Sequence, residues 1–216
     1  MNLPLDYKKG FKNFLNVKIE LSKKPFIPRE ETEFWVEAAI RELKKEKKKT
    51  HCLDLFSGSG CVGIAILKNI KNSYCDFADV NRKTLEQIKI NLEINNIENK
   101  RARLIKTDIF SNIKRKYDYI LANPPYVAKE RLPELELQVK LYEPKIAWYG
   151  RQQGMFYIEK FLKKAKSFLR KNGKIFFEFD PEQKHKIGEI FKREGYKKFK
   201  FFKDQFKKWR FAKIEY

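Results

Sequence analysis

From residue 51 onward, short apolar runs alternate with longer amphipathic segments. The apolar runs have the length of β-strands, and the amphipathic segments carry apolar residues at helical spacing. This alternation predicts an α/β fold in which helices cover a mostly parallel sheet, with ligands bound at the carboxyl ends of the strands. The last two runs follow each other without a helix, which predicts an antiparallel edge. The predicted strands are 51–56, 74–79, 102–107, 117–122, 174–179, 196–203 and 208–215, and the predicted helices are 30–46, 60–70, 82–95, 153–171 and 182–194, the last two ending near the capping glycines Gly173 and Gly195.

Residues 1–28 are predicted to form a β-hairpin extension in front of a domain that spans residues 29–216. A short strand pair is expected within residues 4–21. Gly10 would be its turn, and apolar residues alternate with polar ones from Val17 onward.

A glycine-rich segment, 54–60 (DLFSGSG), lies between the first strand of the repeated pattern and the helix that follows it. Gly58 and Gly60 allow the backbone to turn tightly and approach a ligand, and the start of a helix offers free N–H groups. The stretch 58–63 also satisfies the pattern G-x-G-x-x-G. Taken alone, the loop fits a nicotinamide dinucleotide, S-adenosylmethionine or a plain strand-to-helix turn.

Acidic residues stand at the ends of three successive predicted strands. Asp54 would repel a pyrophosphate, but it suits a cofactor that carries an ammonium and a sulfonium group. Asp79 can accept hydrogen bonds from both hydroxyls of a ribose. Asp108 can accept from an adenine amino group while Ile109 or Phe110 packs on the ring, or it can cap a helical turn. These acids favour S-adenosylmethionine, with ordinary surface acids as the alternative.

The segment 123–126 (Asn-Pro-Pro-Tyr) directly follows the fourth predicted strand. The Asn123 side-chain oxygen and the Pro124 carbonyl would form a clamp for a planar NH2 group, with Tyr126 as a flat apolar wall. Such a nitrogen is a weak nucleophile. Two fixed acceptors can orient its lone pair toward a methyl group and stabilise the positive charge that develops. The motif predicts N-methyl transfer and would serve no purpose in a dehydrogenase.

The amino-acid composition constrains the partners of the protein, its disulfide and metal sites, and its location. The 49 Lys and Arg residues against 28 Asp and Glu give a net charge of +21, which indicates either a polyanionic partner or a lysine-rich codon bias. Three dispersed cysteines and two isolated histidines suggest neither disulfides nor a metal site. We expect no membrane association and a cytoplasmic location, because a signal peptide and long uncharged apolar runs are lacking.

Together, these motifs resemble the HemK/PrmC class of protein-glutamine N5-methyltransferases. The resemblance implies a seven-stranded class I methyltransferase sheet and S-adenosylmethionine as the cofactor. It also implies that Asn123 and Pro124 bind the methyl acceptor, a glutamine in the Gly-Gly-Gln loop of a peptide chain release factor, with Thr32 near the cofactor. The resemblance extends from about Pro4 to Tyr216 and rests on 28–33 (PREETE), the glycine loop, 123–127 (NPPYV), 142–144 (YEP) with Ala147, and Glu178 with Gln183.

Three features differ from the family pattern. Phe56 stands where the family has its first loop glycine, the loop 148–154 is more basic and aromatic, and the N-terminal helical domain of full-length relatives is expected to be lacking. No metal site is predicted. The predicted catalytic residues are Asn123, Pro124, Pro125 and Tyr126, and the predicted cofactor-binding residues are Asp54, Ser57, Gly58, Ser59, Gly60, Asp79, Val80, Asp108, Ile109 and Asn123.

Three other functions compete with glutamine methylation. Adenine N6 presents the same planar NH2, so a ribosomal RNA or DNA N-methyltransferase is the rival with the same chemistry. An inactive RNA- or ribosome-binding module is the non-enzymatic alternative, and a nicotinamide oxidoreductase is the weakest. The basic surface is expected to contact an acidic release factor, the ribosome or RNA.

Overall fold

The computed structural model describes residues 2–216. Within that range, none of the helices is long and apolar enough to cross a membrane. The strands are β1 (Phe11–Phe14), β2 (Val17–Glu20), β3 (Thr50–Leu55), β4 (Ser73–Asp79), β5 (Ala102–Lys106), β6 (Tyr117–Ala122), β7 (Leu169–Glu178), β8 (Lys198–Lys203) and β9 (Trp209–Glu215), and the helices are α1 (Leu5–Lys9), α2 (Glu30–Leu43), α3 (Cys61–Asn69), α4 (Arg82–Ile94), α5 (Leu137–Tyr142), α6 (Lys145–Trp148), α7 (Phe156–Ala165) and α8 (Lys184–Arg193).

A seven-stranded sheet with the order β5-β4-β3-β6-β7-β9-β8 forms the centre of the fold. The strands from β5 to β7 run parallel, and β9 is antiparallel to both β7 and β8. The predicted class I methyltransferase architecture is confirmed. The antiparallel strand lies second from the edge, because the chain returns from β8 and inserts β9 beside β7.

The register of the central strands brings the predicted motifs to one edge of the sheet. Leu55 pairs with Ala78 of β4 and with Ala122 of β6, so these three strands end level with one another. On the outer side of β4, Asp79 pairs with Lys106 of β5. The segments that follow all four strands therefore emerge side by side, as expected for a parallel sheet that binds a ligand.

Apolar side chains form two clusters in the core. Helices α2, α3 and α4 and the β1–β2 hairpin contribute to the first cluster, which includes Trp35 and Phe77. Helices α7 and α8 contribute to the second, which includes Phe161 and Phe177. All four side chains are fully buried, and each contributes about 1.5–3 kcal/mol through removal from water.

The predicted strand pair near the N-terminus is partly wrong. Strands β1 and β2 pair as an antiparallel hairpin, but their turn follows Phe14. Gly10, the predicted turn, ends helix α1 with a φ of +78°. The Tyr7 hydroxyl donates to the Pro25 carbonyl at 2.6 Å, a tertiary contact that holds the short helix in place. The boundary between the extension and the domain at residue 28 stays a prediction.

The prediction of a single helix over residues 153–171 is also wrong at its C-terminal end. Helix α7 ends at Ala165, and β7 already begins at Leu169, which pairs with Tyr117. Gly173 therefore lies within a strand and caps no helix. Gly195 follows α8 with a φ of +68° and acts as the predicted C-terminal stop.

Candidate functional site

A cavity of about 1280 Å³ opens at the sheet edge where β3, β4 and β6 end. Its lining contains most of the residues that the sequence predicts to bind a cofactor or a methyl acceptor. Asp54 and Gly60 are outside the lining. The predicted residues within it are Ser57, Gly58, Ser59, Asp79, Val80, Asp108, Ile109, Asn123, Pro124, Pro125 and Tyr126.

Asp54 and Ser57 attach the glycine loop to its neighbours. The buried Asp54 carboxylate accepts the Gly63 N–H at 3.0 Å, and burial raises its pKa. The Ser57 hydroxyl donates to the Asp54 carbonyl at 2.7 Å and accepts the Ala78 N–H at 2.8 Å. Asp54 thus fixes the start of α3. This position differs from the direct contact with a cationic cofactor that the sequence predicts.

Three loop residues, Phe56, Gly58 and Gly60, have φ values of +61°, +53° and +80°. This left-handed region favours glycine. Gly60 is also restricted by packing, since a Cβ there would lie 2.9 Å from Ile88. Phe56 adopts the conformation expected of the glycine it replaces. Its ring packs edge-on against Tyr157, with 6.2 Å between the ring centroids, so apolar contacts offset the backbone strain.

Two carboxylates line the cavity beside β4 and β5. Asp79 accepts the N–H groups of Gly58 at 3.1 Å and Asn81 at 2.9 Å, and burial raises its pKa. Asp108 is exposed, and its turn is closed by the Ser111 N–H, which donates to the Asp108 backbone carbonyl at 3.1 Å. Within residues 2–216 the Asp108 carboxylate caps no helix, so it is available to a ligand.

The Asn123 side chain is held in one orientation. Its Nδ2 donates to Thr32 Oγ1 at 3.3 Å, and the Thr32 hydroxyl donates in turn to Glu178 Oε2 at 2.7 Å. Because the single hydroxyl proton of Thr32 is used in this second bond, its oxygen can only accept from Asn123. The amide nitrogen is thereby assigned to the Thr32 side. Asn123 Oδ1 remains free to act as an acceptor in the cavity.

Glu178, a buried carboxylate at the end of β7, fixes both sides of this motif. Its Oε2 also accepts from Trp35 Nε1 at 2.7 Å, and its Oε1 accepts the Tyr126 hydroxyl at 2.8 Å. Burial raises the pKa of Glu178, and its hydrogen bonds with Thr32, Trp35 and Tyr126 oppose that rise. Burial also raises the pKa of Tyr126. The tyrosine is therefore neutral and its hydroxyl is committed to Glu178, and its predicted role as a flat wall for the methyl acceptor stays a prediction.

The backbone of the Asn-Pro-Pro-Tyr motif is held by the loop 148–154. The Val127 N–H donates to the Trp148 carbonyl at 2.8 Å. Gln183 Nε2 donates to the Tyr126 carbonyl at 2.8 Å. A Cβ at Gly154 would overlap that same carbonyl, so only glycine allows the two segments to approach so closely. The loop supports the motif from behind.

Sequence reasoning did not find the roles of Trp35 and Glu178 in this network. Trp35 lies in the predicted helix 30–46, to which no chemical role was assigned, and Glu178 entered only through the resemblance. One signal was present in the sequence, because Glu178 stands in the apolar strand 174–179 (KIFFEF). A buried carboxylate requires hydrogen-bond partners, so an acid in such a strand indicates a polar network.

Comparison with known proteins identifies the family. A family model described as "Methyltransferase small domain" matches residues 36–140. The release factor glutamine methyltransferase of Clostridium botulinum is 31% identical over 198 residues, which are 90% of this chain and 69% of that protein. The protein of the same name from Thermodesulfovibrio yellowstonii is 32% identical over 203 residues, 93% of this chain and 72% of its own. This chain belongs to the release factor glutamine methyltransferase family.

The fold of this family member is also that of more distant methyltransferases. The 16S rRNA methyltransferase RsmC of T. thermophilus, solved in complex with AdoMet and guanosine, superposes with a TM-score of 0.68 at 15% identity. The match covers 95% of this chain and 49% of RsmC. The chain is an S-adenosylmethionine-dependent methyltransferase, as the sequence predicts.

The residues in the cavity of the family member fit S-adenosylmethionine chemically. The carboxylates of Asp79 and Asp108 can accept hydrogen bonds from hydroxyl and amino groups, and the apolar side chains of Val80 and Ile109 stand next to them in the chain. The lining contains eleven Asp and Glu against seven Lys and Arg, although the whole chain carries +21. A cavity with excess carboxylates suits a cationic cofactor.

We propose that Asp79 holds the ribose hydroxyls, and we expect Asp79→Ala to weaken S-adenosylmethionine binding by about 30- to 150-fold. Two hydrogen bonds to a charged group would be lost, and the Gly58 N–H would lose its acceptor. Isothermal titration calorimetry measures the change. Glu86→Ala removes an exposed carboxylate outside the cavity and should leave the affinity unchanged. Unaltered binding by Asp79→Ala would exclude Asp79 from the cofactor site.

Proposed function

We propose that this methyltransferase modifies the side-chain amide nitrogen, N5, of a glutamine in the Gly-Gly-Gln loop of a peptide chain release factor. The observation that carries the proposal is the fixed orientation of Asn123, which leaves its Oδ1 as an acceptor in the cavity. A primary amide donates to such an acceptor. The curated relatives from C. botulinum and T. yellowstonii bear the name of this activity, which supports the same choice of substrate.

In this proposal Asn123 Oδ1 and the Pro124 carbonyl accept the two N–H groups of the glutamine amide. Tyr126 packs against the flat face of the amide and excludes water from it. The two acceptors turn the nitrogen lone pair away from its conjugated carbonyl and toward the cofactor side of the cavity. S-adenosylmethionine, when bound, supplies an electrophilic methyl group on a sulfonium. The new N–C bond would replace the C–S bond of the sulfonium, which would leave as a neutral thioether. Asn123 and Pro124 would stabilise the positive charge on the nitrogen, and one amide proton would pass to water once the methylated side chain leaves the cavity.

The charge of the cavity favours a protein over a nucleic acid as the methyl acceptor. Four of the seven lining cations, Lys12, Arg29, Arg131 and Arg210, already pair with carboxylates. With eleven acidic residues against seven cations, the lining as a whole keeps an excess of carboxylates. A phosphodiester backbone entering this cavity would be repelled, whereas a neutral glycine-rich loop would not. This is the physical argument against adenine N6 as the substrate.

A methyl-transfer assay with three acceptors tests the proposal. Wild-type protein is incubated with radiolabelled S-adenosylmethionine and equal concentrations of release factor, ribosomal RNA or duplex DNA, and each product is then digested with protease or nuclease. We expect label only with the release factor, removed by protease and absent when its loop glutamine is changed to alanine. The Asn123→Ala variant, assayed in the same way, gives the background level of label.

Three outcomes would contradict the proposed function. Label that is released by nuclease would make a nucleic acid the methyl acceptor. Label on the release factor at a residue other than the loop glutamine would retain the enzyme class and reject the proposed site. An absence of label with all three acceptors, in a protein that binds S-adenosylmethionine by calorimetry, would favour the inactive binding module.

A further inference from the structure

A concentration of unneutralised positive charge lies on the outermost strand of the sheet and its flanking turns. We name it the basic edge. Seven of its lysines have no carboxylate within salt-bridge distance in the described part of the chain. The exposed cations of the basic edge are Lys192, Arg193, Lys197, Lys198, Lys200, Lys203, Lys207 and Lys208.

The two carboxylates within this stretch do not neutralise the lysines. Glu194 pairs with the neighbouring Arg193 at 3.1 Å. Asp204 is buried, pairs with Arg210 at 2.9 Å and also accepts the backbone N–H groups of Phe206 and Lys208. Both acids thus serve local structure, and the lysine charges face solvent uncompensated.

Aromatic rings also occur in this stretch of the chain. Phe206, in the turn after β8, is 54% exposed, a high fraction for phenylalanine in a folded chain. Alternation along the strand places Lys198, Lys200 and Phe202 on one face of the sheet, and the Lys200 ammonium lies 5.3 Å from the centre of the Phe202 ring. Phe199 lies on the opposite face and packs on a ring of α8, with 4.6 Å between the ring centroids.

The basic edge extends to the mouth of the catalytic cavity but differs from it in charge. Strand β8 is the last strand of the sheet, so along its outer side it has no paired strand within residues 2–216. At its end, Phe206 and Lys208 belong to the cavity lining, which otherwise carries an excess of carboxylates. A polyanion attracted to the basic edge would be repelled by the carboxylates that line the cavity.

We infer that the basic edge is a docking surface for single-stranded RNA, and that it meets the methylation site at Phe206 and Lys208. Lysines give the charge that phosphates require, and the exposed Phe206 ring gives a face on which a base stacks. An acidic protein would use the lysines but would have no base to stack on this ring. The inference does not depend on the identity of the methyl acceptor, because Lys198, Lys200 and Lys203 lie outside the cavity lining.

Fluorescence anisotropy with a labelled 12-nucleotide RNA of mixed sequence tests this inference. We expect the triple variant Lys198→Gln/Lys200→Gln/Lys203→Gln to raise the Kd at least tenfold and to lower the slope of log K against log salt by about 2. The matched control Lys44→Gln/Lys47→Gln/Lys49→Gln removes three exposed lysines elsewhere and should change the Kd less than twofold. Phe206→Ala should raise the Kd by about fivefold or more through lost stacking.

Each other result would overturn the inference. Equal losses in the two triple variants would mean that RNA responds to net charge alone. Equal binding of a poly-glutamate peptide, with no effect of Phe206→Ala, would assign the surface to an acidic protein. If wild-type protein does not bind RNA at all, the lysines serve only to keep an exposed sheet edge from pairing with other chains. Calorimetric titration with S-adenosylmethionine verifies that every variant is folded.

Discussion

Asn123→Ala is expected to lower the kcat of methyl transfer by about 10²- to 10³-fold while the affinity for S-adenosylmethionine changes less than about threefold. The variant removes the side-chain acceptor that the Thr32–Glu178 network orients into the cavity. Loss of one preorganised electrostatic partner of a transition state costs about this much. Single-turnover kinetics with release factor, together with calorimetry of cofactor binding, separates the two effects.

Two further variants sharpen this test. Asn123→Asp keeps an oxygen in the cavity but places the second one against Thr32 Oγ1, whose proton already goes to Glu178, so two acceptors would face each other. We expect its kcat to fall nearly as far as that of the alanine variant. Asn13→Ala, an exposed asparagine on β1, should behave like wild type. Near-normal turnover by Asn123→Ala would disprove the clamp.

The sheet and the position of the site could be predicted because each depends on local patterns. Apolar runs of strand length indicated the seven strands, and motifs at strand ends are brought together by parallel pairing whatever the details of packing. Asp79 and Asn123 were found in this way. The direct cofactor contact expected for Asp54 stays a prediction. Its position at a strand end could be predicted, but the hydrogen bond that its carboxylate accepts from the Gly63 N–H could not.

Features that depend on distant residues could not be predicted. Residues 166–168 still form a turn of 3₁₀ helix, and the strand begins at Leu169, which pairs with Tyr117 of β6. The bond between Thr32 and Glu178 joins residues 146 positions apart. Sequence spacing carries no information on such a contact until the topology is known. The orientation of Asn123, which decides the chemistry of the site, belongs to this second group.

Glu178→Ala is expected to lower kcat by about 10²-fold and to destabilise the fold by about 2–5 kcal/mol. It would leave the Thr32 hydroxyl and the Trp35 indole N–H as buried donors without an acceptor, each at a cost of about 1–3 kcal/mol. Without the Glu178 carboxylate, the Thr32 hydroxyl could donate to Asn123. The side-chain amide of Asn123 could then flip, which would exchange the positions of its oxygen and nitrogen. Thermal unfolding and steady-state kinetics measure both effects.

A subtler variant distinguishes positioning from stability if Glu178→Ala does not fold. Thr32→Val keeps the volume of the side chain but removes the acceptor of the Asn123 Nδ2 proton. We expect about a tenfold lower kcat with an unchanged KM for S-adenosylmethionine, and recovery in Thr32→Ser. A purely structural role would lower the stability of Thr32→Val without this separation of kcat from KM.

Glu178→Gln should retain most of the activity, because its amide oxygen can accept from Thr32 and Trp35 while its NH2 group donates to the Tyr126 hydroxyl.

The pH dependence of stability isolates the contribution of the Glu178 charge. Burial raises the pKa of Glu178, so above pH 4.5 the folded chain retains a proton that the unfolded chain has lost. The stability of the wild type therefore falls, through this residue, as pH rises from 4.5 through the folded-state pKa, whereas the glutamine variant lacks this loss. We expect the stability of Glu178→Gln relative to wild type to increase over that range in urea unfolding, and a difference independent of pH would contradict the raised pKa.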